Sequence, residues 1–169
     1  YVLMKYSDII DLEKLYYLIN LLIDKNIIIK NIVKIVDDIY NYDLEDIVNT
    51  DFIKNLIDKD LCNINETYDG NNILTSQIYY FGITRELFYY IVEKGADIHY
   101  INDRNENCLM KILYVNRNRL NLSQNLHYND IINYLLDNNI NILLINNIKN
   151  DIISYLRKNE HDDIIKKYI

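Results

Sequence analysis

Four stretches of this chain carry two apolar pairs at i, i+1, i+4 and i+5, then an acidic residue, then a residue that tolerates left-handed backbone. They are Leu18, Ile19, Leu22 and Ile23 before Asn26, and Phe52, Ile53, Leu56 and Ile57 before Asp60. The others are Leu87, Phe88, Ile91 and Val92 before Gly95, and Ile131, Ile132, Leu135 and Leu136 before Asn139. The spacing draws one apolar stripe on a short helix. A left-handed residue just past the last turn is a common way to end such a helix. Glycine takes that conformation freely, and Asn and Asp tolerate it better than other residues. The turn residues lie 34, 35 and 44 positions apart. A fifth, incomplete copy, "DIIKKYI", starts at Asp163. A chain that recurs at this period buries its apolar faces by stacking one copy on the next.

A second helix precedes the first within each copy. In "NNILTSQIYYFG", residues 71–82, Leu74, Ile78 and Phe81 share a face, and Thr84 is placed to cap the helix that follows. Upstream, Asp69-Gly70 is a tight-turn signal between short extended segments. The three glycines of the chain therefore all mark boundaries inside one unit. The unit reads turn, helix, loop, helix, and a strand-like exit through "DIHYIN".

The stretch "DGNNIL…G…ELFYYIVEKGADIHYIND" resembles the ankyrin repeat, with Asp69, Gly70, Leu74, Gly82, Glu86, Ile91, Gly95, Ala96, Asp97 and Ile98 at family positions. It departs where Ile73 and Cys108 replace proline, Thr75 replaces histidine and Gln77 replaces alanine. The resemblance implies an all-α fold, an α-solenoid of about four to five degenerate repeats in one domain. Its expected parts are a helical cap or degenerate repeat over 1–40, with a capping Ser7, and a degenerate repeat over 41–67. The best-matching repeat follows over 68–101, then a repeat over 102–145 with an insertion at 116–129, and a capping repeat over 146–169. The resemblance also implies a non-enzymatic module that binds a partner protein through its concave face. Asn- and Ile-rich members of this kind are similar to those of AT-rich large DNA viruses of the poxvirus and giant-virus type. That likeness implies a host protein as partner and the host cytoplasm as location.

Composition removes other classes. The net charge is −7, and the basic residues are scattered among carboxylates. A duplex-binding surface needs clustered Lys and Arg, so no nucleic-acid partner is expected. No apolar run approaches the roughly 20 residues of a membrane span, and "YVLMKYSDII" lacks the features of a signal peptide. An intracellular monomer is expected. Cys62 and Cys108 fit no CxxC motif and read as free thiols. His99, His127 and His161 match no HxxxH or HExxH spacing. A Cys108–His127 nucleophile pair is outweighed by the place of Cys108 at a helix start. Asp37-Asp38 and Asp162-Asp163 read as helix-start charges. With no GxxxxGK or GxGxxG either, no catalytic, cofactor or metal residue is expected.

Binding residues are expected at turn tips and on the insertion: Tyr68, Asn71, Tyr100, Asn102, Arg104, Arg117 and Arg119. The insertion "NRNRLNLSQNLHYN" is expected to leave the stack as a locally basic loop. Seventeen tyrosines, several in doublets such as Tyr16-Tyr17, Tyr79-Tyr80 and Tyr89-Tyr90, suit either recognition or a plain compositional bias. The alternative to partner binding is a structural, self-assembling role.

Overall fold

The computed structural model describes residues 17, 20–41, 50–81, 83–119, 125–158 and 162–168. Statements about side chains exclude 38–41, 79–81, 116–119, 125–127, 158, 162, 163 and 168. The fold is helical. After a helical segment at 20–24 come α1 (Ile32–Asn41), α2 (Thr50–Asp58), α3 (Ile73–Phe81) and α4 (Arg85–Glu93). They are followed by α5 (Cys108–Arg119), α6 (Asn125–Asp137), α7 (Ile152–Lys158) and α8 (Asp162–Tyr168). Among the described residues β-structure is limited to two isolated bridges, Tyr68 with Asn71 and Ile145 with Asp151.

The four stripes end as their sequences require. Asn26, Asp60, Gly95 and Asn139 have φ of 52°, 54°, 95° and 58°. At each, the same two hydrogen bonds close the helix. The Gly95 N–H donates to the Val92 carbonyl at 2.9 Å and the Ala96 N–H to Ile91 at 3.1 Å. The equivalent donors at the other ends are Asn26 and Ile27, Asp60 and Leu61, and Asn139 and Ile140. This is the Schellman arrangement, which satisfies carbonyls the helix itself leaves open.

Helices α1, α3, α5 and α7 also start alike. The side-chain oxygens of Asn31, Asn72, Asn107 and Asp151 accept from the backbone N–H three residues on, at 3.0, 3.0, 3.0 and 2.7 Å. Asn72 and Asn107 reach further: each Nδ2 donates to a carbonyl of its own unit's exit, Asp97 at 3.1 Å and Asn141 at 2.8 Å. Thr84 caps α4, its hydroxyl accepting from Leu87 N–H. The abundant asparagine of this chain is therefore used, as cap and as left-handed turn, because its short amide can bond nearby backbone.

Packing sorts the helices into two rows. In one, α1 packs on α3, α3 on α5 and α5 on α7; in the other, α4 packs on α6. Within pairs, α5 packs on α6 and α7 on α8. The first row forms the centre of the core, with Ile32, Val36, Ile73, Leu74, Ile78, Leu109, Ile112, Leu113, Ile152 and Leu156 buried. The stripes Phe52, Ile53, Leu56, Leu87, Phe88, Ile91, Ile131, Ile132, Leu135 and Leu136, on α2, α4 and α6, are buried against it. Each such side chain contributes roughly 1.5–3 kcal/mol through burial.

Two expectations change. The insertion at 116–129 does not leave the stack as a loop over its described length: α5 continues to Arg119 and α6 begins at Asn125. Tyr128, inside the segment, is buried, and burial pushes its phenol up to about 12. No proline or glycine interrupts the helices here, and the burial of Tyr128 offsets the weak helix propensity of the segment's asparagines. Among the described residues the inner row begins at Ile32, so the boundary at 40/41 falls at the end of α1. Ser7 and the first part of the 1–40 segment lie outside the described residues.

Candidate protein-binding surface

Three hairpins stand on one edge of the stack, each leading into a helix of the inner row. In the first, Tyr68 and Asn71 exchange backbone hydrogen bonds of 2.9 Å, and Asp69 and Gly70 both turn left-handed, at φ 48° and 70°. A side chain at Gly70 would crowd only the exposed Asp103 carboxylate, 3.2 Å from the place of its Cβ, so it is φ that calls for glycine at the tip.

The second and third hairpins are one residue longer and match each other bond for bond. Asn102 Oδ1 accepts from the N–H of Arg104 at 3.0 Å and of Glu106 at 2.9 Å. Asn146 Oδ1 accepts from Ile148 at 3.2 Å and Asn150 at 2.8 Å. The left-handed residues are Asn105 at φ 59° and Lys149 at φ 62°. The two are laced together: Asn147 N–H donates to the Arg104 carbonyl at 3.0 Å, and Asn105 Nδ2 to the Ile145 carbonyl at 2.7 Å.

Asn102 was expected to face a partner, and the structure corrects this. It is buried, its carbonyl oxygen held by two backbone donors, because that geometry lets a short side chain replace the hydrogen bonds that the turn leaves open. Tyr68, Asn71 and Tyr100 are half-buried. Tyr68 lies under the Lys34 ammonium, 5.0 Å from the ring centre. Burial, with Asp103 nearby, raises the Tyr100 phenol above its ordinary value despite a hydrogen bond with Thr67. Arg104 is exposed at its tip, as expected. The side chains of Arg117 and Arg119 lie outside the described ones.

The tyrosine doublet on α4 serves the stack. Tyr89 reaches forward to the Asp130 carbonyl at 3.4 Å and makes an edge-on contact with Tyr134, ring centres 5.3 Å apart. Tyr90 reaches back to the Lys54 carbonyl at 3.2 Å. Ion pairs reinforce both directions, Arg85 with Asp130 at 2.7 Å and Lys94 with Asp58 at 2.6 Å, alongside Lys54 with Glu86. That face is tied together across neighbouring units. Among the remaining tyrosines, Tyr17 is exposed, and the side chains of Tyr79 and Tyr80 are outside the described set.

A cavity of about 310 Å³ opens between the second and third hairpins and the inner helices α5 and α7. Its floor is an ion pair that sequence reading missed. Lys111, only 6% exposed, holds Glu106 at 2.7 Å. Asn146 Nδ2 donates to one Glu106 oxygen at 3.1 Å and Asn102 Nδ2 to the other at 3.3 Å. Burial pushes the Glu106 carboxyl up, but Lys111 and the two amides outweigh it and hold the group below its ordinary range. Tyr155 and Tyr114 form an edge-on pair along the wall. The rim is Arg104 on one side and Ile148, 72% exposed, on the other. The available signal was Lys111 itself, which occupies the same place in α5 as buried Ser76 does in α3.

Chemistry elsewhere is sparse. Cys108 donates to the Ile98 carbonyl at 3.3 Å, and burial pushes its thiol up to about 12, so at neutral pH it is no nucleophile. Cys62 is raised to about 11 by burial, with Glu66 and Asp60 adding to it. Among the described residues, no group of three His, Cys, Asp or Glu is placed to hold a metal ion, and no helix is long and apolar enough to cross a membrane. No protein-family model matches the chain, and no curated protein sequence matches it.

Proposed function

We propose that the chain is a degenerate ankyrin-type α-solenoid of four to five units, whose work is to bind another protein through its hairpin tips and inner helices, without catalysis. One observation carries the reading. All three hairpins turn through left-handed residues, and the second and third are built on inward-turned Asn102 and Asn146, yet their outward tip residues differ: Asp69, Arg104 and Ile148. Shared scaffolding with varied exposed side chains along one edge is how a repeat stack presents a specific surface. The compositional resemblance extends the proposal to a viral protein that engages a host factor in the cytoplasm.

The test is capture of partners from host-cell lysate by the whole chain and by two variants. One carries Arg104→Glu with Ile148→Asp at the tips. The other carries Glu93→Lys on exposed α4. Both must keep the parent circular-dichroism melt. Specific capture that the tip variant loses and the α4 variant keeps is the expected result. Capture insensitive to the tips, or lost equally by both, sinks the reading.

A self-assembling role is favoured by a different observation. Aliphatic side chains are exposed in two of the segments that lead from an outer helix to the next inner one, Ile28 before α1 and Leu143 before α7, 71% and 78% exposed. Light scattering across a concentration series decides it, since assembly raises the mass with concentration and partner binding alone leaves a monomer.

A further inference from the structure

The cavity beside the third hairpin gives the proposed partner a chemistry, an inference that rests on the binding role proposed above. Its volume, about 310 Å³, is at the lower limit of ligand pockets and matches one or two large side chains better than a cofactor. Its accessible apolar parts are the ring of Tyr114, 40% exposed, and the chain of Ile148, with the buried ring of Tyr155 behind them. Its polar floor is already occupied. Glu106 accepts from Lys111, Asn102 and Asn146, so the carboxylate has little capacity left for a ligand. The Lys111–Glu106 pair is neutral as a unit. What remains is Arg104, which has no ion-pair partner among the described residues and stands at the rim. In a protein of net charge −7, this cavity is lined by two cations and one carboxylate.

We infer that the cavity takes a large apolar side chain from an extended segment of the partner protein, with a neighbouring Asp or Glu of that segment paired to Arg104. The guanidinium suits a carboxylate because its fork donates two parallel hydrogen bonds. The apolar neighbour supplies most of the burial and seats the segment. The preceding tip limits the acidity of the segment. Asp69 is exposed there, and Asp103 leans over Gly70, so a second carboxylate running that way meets like charge. The preferred segment is therefore apolar with a single acid, and a run of acids is rejected.

The test is a phage-displayed library of random short peptides, panned against the immobilised whole chain and sequenced. Enriched peptides are expected to pair Leu, Ile, Phe or Met with one Asp or Glu within two positions, and to lack acidic runs. A synthetic copy of the most enriched peptide, read by fluorescence polarisation, should bind at least about tenfold more weakly to Arg104→Glu, the loss of one charge-assisted contact. Ile148→Asp should weaken it comparably, and Glu93→Lys should leave it unchanged. Absence of enrichment, enrichment of basic or acid-free peptides, or affinity indifferent to Arg104 and Ile148 overturns the inference. Peptides of other chemistry that still depend on the tips would leave the binding role standing while this inference falls. Peptides that depend on α4 instead would remove both.

Discussion

The unit at 68–101 and the unit at 102–145 are built to one plan and depart from it in opposite ways. Both have an Asn cap on the inner helix, Asn72 and Asn107, whose amide bonds the unit's own exit. Both end in the same left-handed turn, at Gly95 and Asn139. The first keeps short helices of nine residues and buries Ser76 Oγ and Gln77 Nε2 without hydrogen-bond partners. The second has helices of 12 and 13 residues, and its buried lysine is paired with Glu106. The regular unit thus carries the unmet polar cost, while the enlarged unit carries a satisfied polar centre beside a cavity. Resemblance to a family pattern and local soundness of packing are separate properties here.

The comparison is most exposed at Tyr128. If the enlargement belongs to the core, Tyr128→Ala should cost about 3 kcal/mol in a denaturant melt, as for a buried aromatic. A neutral result would return 116–129 to the status of a loop. Glu106→Gln comes next, at about 2 kcal/mol near neutral pH, because it removes the counter-charge beside a nearly buried ammonium. The folded carboxyl lies below its ordinary 4.5. Its stabilisation is therefore full above that value and lost as pH falls through the lower folded one. The gap between the variant and the parent should close on acidification below about pH 4; a gap that widens contradicts the pairing.

Smaller effects separate the two exits and the two polar burials. Gly95→Val should cost about 1–2 kcal/mol from backbone alone, since no atom lies within 4 Å of the added Cβ. Asn139→Gly should be neutral or slightly stabilising at the matching position. An unchanged melt for the valine variant breaks the equivalence of the two turns. Gln77→Met, which keeps the volume and removes an unpartnered buried Nε2, should stabilise the regular unit by about 1 kcal/mol. A loss instead would show that the amide has a use.

What could be read from sequence divides along the same physical line. The helix ends were legible because an apolar stripe at helical period, then a residue that tolerates positive φ, has few other readings. Thr84 and Asp69-Gly70 were legible as cap and turn for similar reasons. Asn102 was misjudged because sequence gives its place at a tip but not its direction, and hairpin geometry turns it inward. The helical ends of 116–129 were hidden by a polar, asparagine-rich stretch with no clear stripe. The Glu106–Lys111 pair was hidden because it joins a turn to a helix across a cap, where no periodic rule applies. The tyrosines of α4 suited recognition and compositional bias alike, because their outward half is visible in the pattern and their neighbours in adjacent units are not.

The length of α5 and α6 also governs the order in which the molecule opens. Helices under about 12 residues are marginal alone, so short units depend on their neighbours for their lifetime. α5 is held by α3, α6 and α7, whereas the seven-residue α7 is held by α5 and α8. Native-state exchange of amide hydrogens should therefore be slowest in α5 and faster in the C-terminal pair, which can release without the rest. The boundary between these two exchange regimes runs through the cavity, with Arg104 on the slow side and Ile148 on the fast. A segment seated there would join them into one cooperative unit, and the first sign of its arrival would be deuterium uptake falling along α7.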